Sequence, residues 1–165
     1  MKTTTIKVVI ETPRGSTEKY DYDKKSGHFL LRKILPAGMM FPYDFGFIPG
    51  TKGEDGDPLD IIVLSEFRSF PGCMMECHLL GAIMAEQGKE KQKKVRNDRY
   101  LAIPICSTIS QYLQHIDQLP AEMVTQLEDF FFNYNKAEGK VFHSIGLMDA
   151  DTAFRQIHPG SHKRK

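Results

Sequence analysis

Asp55-Gly56-Asp57-Pro58-Leu59-Asp60 crowds carboxylates into one short turn, and Glu54 adds another just ahead of it. The chain then runs straight into Ile61-Ile62-Val63-Leu64, an apolar stretch that reads as a buried strand. The acids therefore sit at a rigid strand entrance, where their positions are held. Carboxylates this close raise one another's pKa values unless a cation compensates them. Oxygen-only donors suit a hard cation such as Mg²⁺, Mn²⁺ or Ca²⁺ rather than zinc.

Three readings compete for this turn. Asp, Gly and Pro all favour turns, so it could be an acidic surface loop. A calcium loop of the EF-hand kind is the second. Counted from Asp55, Glu66 fits its last position, but Leu59 and Asp60 stand where a ligand and a glycine are needed. The flanks also read as strands rather than helices. The third reading is a metal–phosphate catalytic site, and the rest of the chain decides for it.

A chain of 165 residues predicts a single domain over 1–160, followed by a basic tail, Ser161-His162-Lys163-Arg164-Lys165. The net charge of +1 argues against wholesale nucleic-acid binding. No apolar stretch is long enough to cross a membrane, and the N-terminus lacks a signal-peptide core. Cys73, Cys77 and Cys106 form no disulfide framework, which predicts a reducing, cytoplasmic setting. Cys73, Cys77 and His78 lack the second matched pair a zinc site needs, so they read as strand packing. The charged run Lys89–Arg96 reads as a solvated loop, with a lid or a polyanion-attracting surface as the alternative.

Strands are predicted at 6–10, 19–22, 28–31, 60–64, 73–84 and 100–105. Phe41 to Gly50, aromatic and punctuated by Gly and Pro, reads as an irregular packed segment. Helices come late. Ser107 is placed to cap a short one running towards His115. Pro120 opens another, whose stripe Met123, Leu127, Phe130, Phe131 and Tyr134 has helical spacing. Asp149 or Asp151 starts a last helix carrying Phe154 and Ile157. Strands followed by helices predict an α+β arrangement, a small β-barrel with packed helices.

From about Val8 to Lys140 the chain resembles the soluble family I inorganic pyrophosphatases. The resemblance rests on the Asp55–Asp60 turn and on Val9-Ile10-Glu11-Thr12-Pro13, Lys19-Tyr20-Asp21-Tyr22-Asp23, Phe41-Pro42, Gly46 to Gly50, Leu101 to Pro104 and Phe131 to Tyr134. It implies a five-stranded OB-like β-barrel with flanking helices. It also implies Mg²⁺-dependent hydrolysis of pyrophosphate, with several ions bound and Mn²⁺ as an alternative, and self-association; charge and hydropathy predict no nucleic-acid or membrane partner. Asp55 and Asp60 would be metal ligands, and Asp57 the general base for the attacking water. Glu11 and Asp21 would hold outer metals, while Lys19, Tyr134 and Lys140 would contact phosphate.

Several positions depart from the family pattern. Lys33 stands where an arginine is usual, and Arg99 where a lysine is. Phe41 and Phe45 replace tyrosines. Glu86 matches an aspartate ligand with a longer reach, and either Asn97 or Asp98 fills the next ligand position. Asn135 takes a lysine's place, with Lys136 beside it as the candidate phosphate contact. The rival functions are a divergent non-catalytic OB-like binding module and a hydrolase of another phosphoanhydride.

Overall fold

The computed structural model describes residues 4–159, so the basic tail anticipated at 161–165 lies outside the described residues. In chain order the elements are β1 (Thr5–Thr12), β2 (Glu18–Asp23), β3 (His28–Ile34), β4 (Asp44–Phe47), β5 (Asp60–Val63), β6 (Met74–Gly88), β7 (Val95–Arg96), β8 (Arg99–Pro104), α1 (Ala121–Ala137), β9 (Val141–Asp149) and α2 (Ala150–Ile157). A single 3₁₀ turn at Ile116–Gln118 precedes α1.

Strands β1, β4, β5, β8 and β6 pair in that order, and β6 returns to β1, so five strands close a ring. Only β5 and β8 within it run parallel. The anticipated five-stranded, OB-like α+β architecture is therefore present. Closure removes exposed edges. Strand β6 overruns the ring, and its far half carries β7 and β9, while β2 and β3 form a separate hairpin. The ring closes tightly at β1–β4, where a Cβ on Gly46 would lie 1.9 Å from the Val9 carbonyl oxygen.

The apolar run after the acidic turn is continuous because both faces of β5 are covered. Ile61 and Val63 join Val8, Ile10, Cys77 and Tyr100 in one core cluster, which α2 covers with Ala153 and Ile157. Ile62 and Leu64 join Phe45, Leu101 and Ile103 in the other, which α1 covers with Leu127 and Phe131. The α1 stripe thus packs as its spacing predicts. Helix α2 is capped by Asp149, whose carboxylate accepts from Thr152 N at 2.8 Å.

Three local expectations fail. No helix forms from Ser107 to His115, where the chain makes turns. Ser107 Oγ donates to Glu66 at 2.6 Å, and Thr108 N reaches the same carboxylate at 2.8 Å, which ties the segment to the loop after β5. The Phe41–Gly50 segment contains a strand, β4. Strand β9 was not anticipated, because His143, Ser144 and Gly146 break its alternation, and its pairing along Gly81 to Gly88 holds it extended. Among the described residues no helix is long and apolar enough to cross a membrane.

Candidate active site

An open cleft of about 1020 Å³ lies between the β2–β3 hairpin, the loop entering β5 and the C-terminal end of α1. Glu11, Asp21, Asp55, Asp57 and Asp60 all line it. Lys19, Arg99, Tyr134 and Lys140 line it too, as do Asn97 and Gln87.

The acidic turn is braced by its own backbone. Gly53 N donates to Asp57 O at 2.7 Å, and Asp57 N donates to Asp55 Oδ1 at 3.1 Å. Asn97 Nδ2 reaches Asp55 Oδ2 at 3.3 Å, and Arg96 N reaches Glu54 at 3.1 Å, so the loop before β8 is stitched to the turn. Parallel pairing sets Asp60 opposite Arg99, and their side chains meet at 2.7 Å. Arg99 is only 4% exposed. Its guanidinium also donates to Asn97 O and Gln87 Oε1, both at 3.0 Å, and lies 4.7 Å from the Phe131 ring centre.

Across the cleft, Lys19 is paired with Asp21 and lies 3.9 Å from Glu11. Glu11 accepts from Tyr22 N at 2.9 Å. Arg32, on the other face of β3 from Lys33, joins Asp21 at 3.3 Å. Phe45, without a hydroxyl to offer, presents its ring to Lys19 at 5.2 Å.

Three of these carboxyls titrate above their ordinary values. Burial pushes Glu11 up to about 7, against the pull of Lys19. Desolvation raises Asp60 despite Arg99. Asp57 is raised by desolvation first and then by the negative charges of Asp55 and Asp21. Such a group of acids is short of positive charge. Among the described residues no three acidic, histidine or cysteine side chains converge on one point as a ready-made metal cage. The donors in the cleft are nonetheless all oxygen, from carboxylates and amides, which fits a hard divalent cation.

Not every expected residue reaches this cleft. Glu86 does not line it, and Gln87 does. Along β6 the side chains alternate, so Gln87 shares the face of Ile83 and Ala85. Continuing the strand's alternation past Met84 finds this residue. Asp98 is buried away from the cleft, where its Oδ1 accepts from Ala85 N at 3.0 Å and pairs with Arg96. Asn97 faces in. Lys136 is exposed outside the cleft, while Asn135 lines it, its Nδ2 donating to Phe131 O at 2.8 Å. Lys33 does not line the cleft and its neighbour Arg32 does; Lys33 stands beside it over the Tyr134 ring, 3.8 Å from its centre, and pairs with Glu138. Burial raises the pKa of the Tyr134 hydroxyl well beyond its ordinary value. Lys24 and Lys52 line the cleft as well, and no motif marked them.

The profile described as inorganic pyrophosphatase matches residues 8–165. The inorganic pyrophosphatase of Thermus thermophilus is 36% identical over 155 residues, covering 92% of this chain and 86% of that protein. That of Synechocystis sp. is 34% identical over 146 residues, covering 88% and 83%. The crystal structure of inorganic pyrophosphatase from Thermus thermophilus superposes with a TM-score of 0.84 at 31% identity, over 93% of this chain and 87% of that one. By sequence and by fold alike, the chain belongs to the inorganic pyrophosphatase family.

Proposed function

We propose that this protein hydrolyses inorganic pyrophosphate to two orthophosphates, with Mg²⁺ as its cofactor. Asp57 carries the reading. Its neighbours Asp55 and Asp60 are engaged by Asn97 and Arg99, whereas among the described residues nothing donates to the Asp57 carboxylate. A carboxylate left free in an anion-binding cleft, with its pKa raised, is suited to take a proton from water.

As water attacks one phosphorus, Asp57 accepts its proton, the bridging P–O bond breaks and orthophosphate departs. Lys19, Arg99 and Lys140 offset the charge that builds on the phosphate oxygens, and Tyr134 offers a hydroxyl. Asp55 and Asp60, with Asn97 and Gln87 as neutral donors and Glu11 and Asp21 as outer partners, would hold a divalent cation, which would neutralise phosphate charge and acidify water. Arg99, locked by Asp60, Gln87 and Asn97, is held in one orientation and needs little rearrangement during the reaction.

The proposal includes a cytoplasmic location, which the free thiols Cys73, Cys77 and Cys106 support. It also includes assembly into homo-oligomers, supported by exposed apolar side chains such as Leu31, Ile34 and Phe70.

Phosphate release from pyrophosphate, measured with Mg²⁺, with Mn²⁺ and after chelation, tests the reading. Release that requires the cation and collapses in Asp57→Asn is expected. Native protein at micromolar concentration that releases no phosphate with either metal sinks it.

A further inference from the structure

Glu138 is a carboxylate where two physical rules argue against one. It ends α1, its N–H reaching Asn135 O and Lys136 O, and the negative end of a helix disfavours an acid. Its side chain also lines a cleft whose proposed occupant is an anion. The placement is built in. Gly139 follows with φ of +69°, a conformation L side chains rarely adopt, and Lys140 N returns to Asn135 O at 2.9 Å.

The carboxylate gathers two cations. Lys33 Nζ lies 2.5 Å from one oxygen and Lys140 Nζ 3.5 Å from the other. Lys33 comes from β3 and Lys140 from just beyond α1, so Glu138 bridges separate parts of the fold. Two ammonium groups, one of them over the Tyr134 ring, are also what a phosphate group requires. We propose that Glu138 is an internal stand-in for a phosphate group, holding Lys33 and Lys140 together and giving way when phosphate binds. The proposal rests on the pyrophosphatase reading only for the identity of the anion.

This arrangement has a cost and a use. Glu138 competes with the phosphate group, so it weakens the grip on substrate and on product. In exchange it keeps two long, flexible side chains gathered, and it gives the departing phosphate a competitor that speeds release. Desolvation opposes its ionisation, but the hydrogen bond and charge of Lys33, aided by Lys140, hold the carboxyl below its ordinary value and keep it charged.

Glu138→Gln keeps the shape and removes the charge. Calorimetric titration of the native protein and the variant with inorganic phosphate, without pyrophosphate, reads the competition directly. The variant is expected to bind phosphate about two- to fivefold tighter, the scale of one half-exposed charge pair. In turnover its KM for pyrophosphate falls, with kcat unchanged or lower. Glu90→Gln, which removes the same charge from the loop after β6, leaves phosphate affinity unchanged. Lys33→Gln costs more phosphate affinity in the Glu138→Gln background than in the native chain, because only there is Lys33 free of its competitor. Equal or weaker phosphate binding by Glu138→Gln, or an equal effect of Lys33→Gln in both backgrounds, overturns the proposal. Native protein that binds phosphate without hydrolysing pyrophosphate sinks the pyrophosphatase reading and leaves this one standing.

Discussion

The two walls of the cleft use their acids in opposite ways. On the wall leading into β5, Asp55, Asp57 and Asp60 all face inward. On the wall made by the end of β6 and the start of β8, Glu86 and Asp98 stay out of the cleft, and the inward positions go to Gln87, Asn97 and Arg99. Both stretches carry acids, yet only one delivers them to the site. The difference is one residue of register, which in a strand turns a side chain to the other face. One stretch is negative and the adjoining one neutral to positive, so the charge that a cation needs comes from the acidic turn, and Gln87 and Asn97 add only neutral oxygens beside it.

The largest effect should come from the acidic wall. Asp57→Asn retains size and loses the proton acceptor, and is expected to lower kcat by about 10²- to 10⁴-fold with little change in folding. If turnover survives intact, the base lies elsewhere and the contrast between the walls loses its catalytic meaning. Arg99 is the next test. Removing it by Arg99→Leu leaves Asp60 half-buried without its partner and takes a positive charge from the adjoining strand. A loss of about 3 kcal/mol in unfolding free energy is expected, because breaking a buried pair strands the other charge. Chemical denaturation measures it, and added Mg²⁺ should recover part of the loss by supplying Asp60 with a new cation.

Much of this contrast was legible before the fold was known. The acidic turn and the strand after it stand together in the chain, so local spacing carries them. The α1 stripe was legible because its period is helical and its contacts are apolar. Gln87 was not, because an apolar strand reading stops at Met84, while β6 runs on through polar residues that pair with β7 and β9. Asp98 misled for a related reason. Its bonds to Ala85 N and Arg96 are contacts across the sheet and within a bulging loop, which spacing does not reveal. Ser107 looked like a cap, and its hydroxyl is taken by Glu66 from a distant loop. Lys33 offered a charge that could be foreseen, but not the carboxylate of Glu138 that holds it.

Restoring acids to the neutral wall should produce a moderate effect of predictable sign. In Gln87→Glu with Asn97→Asp, the carboxylate at 97 faces Asp55 directly, while the one at 87 meets the Arg99 guanidinium. Asn97 now donates to Asp55, so Asn97→Asp replaces an attraction by a like-charge repulsion. The metal-free variant is expected to melt lower than the native protein, and to gain more from added Mg²⁺ because the cation relieves the repulsion. Mg²⁺ affinity, read by calorimetry without substrate, should rise by about tenfold, a fraction of the full Coulomb energy of one added charge. An unchanged affinity would mean that this wall does not touch the cation.

The smallest effects belong to the two acids that stay out of the cleft, and the difference between them is informative. Asp98→Asn keeps an oxygen for Ala85 N and loses the charge that holds Arg96. Asp98 is 6% exposed, so the change should cost about 1–2 kcal/mol of stability. Glu86→Gln alters a partly exposed side chain with no hydrogen bond or ion pair among the described residues, and should stay within about 0.5 kcal/mol. Neither should move Mg²⁺ affinity, because neither faces the cleft. A drop in Mg²⁺ affinity in Glu86→Gln, with stability unchanged, would reverse the assignment of faces on β6. It would make Glu86, rather than Gln87, the residue that meets the cation.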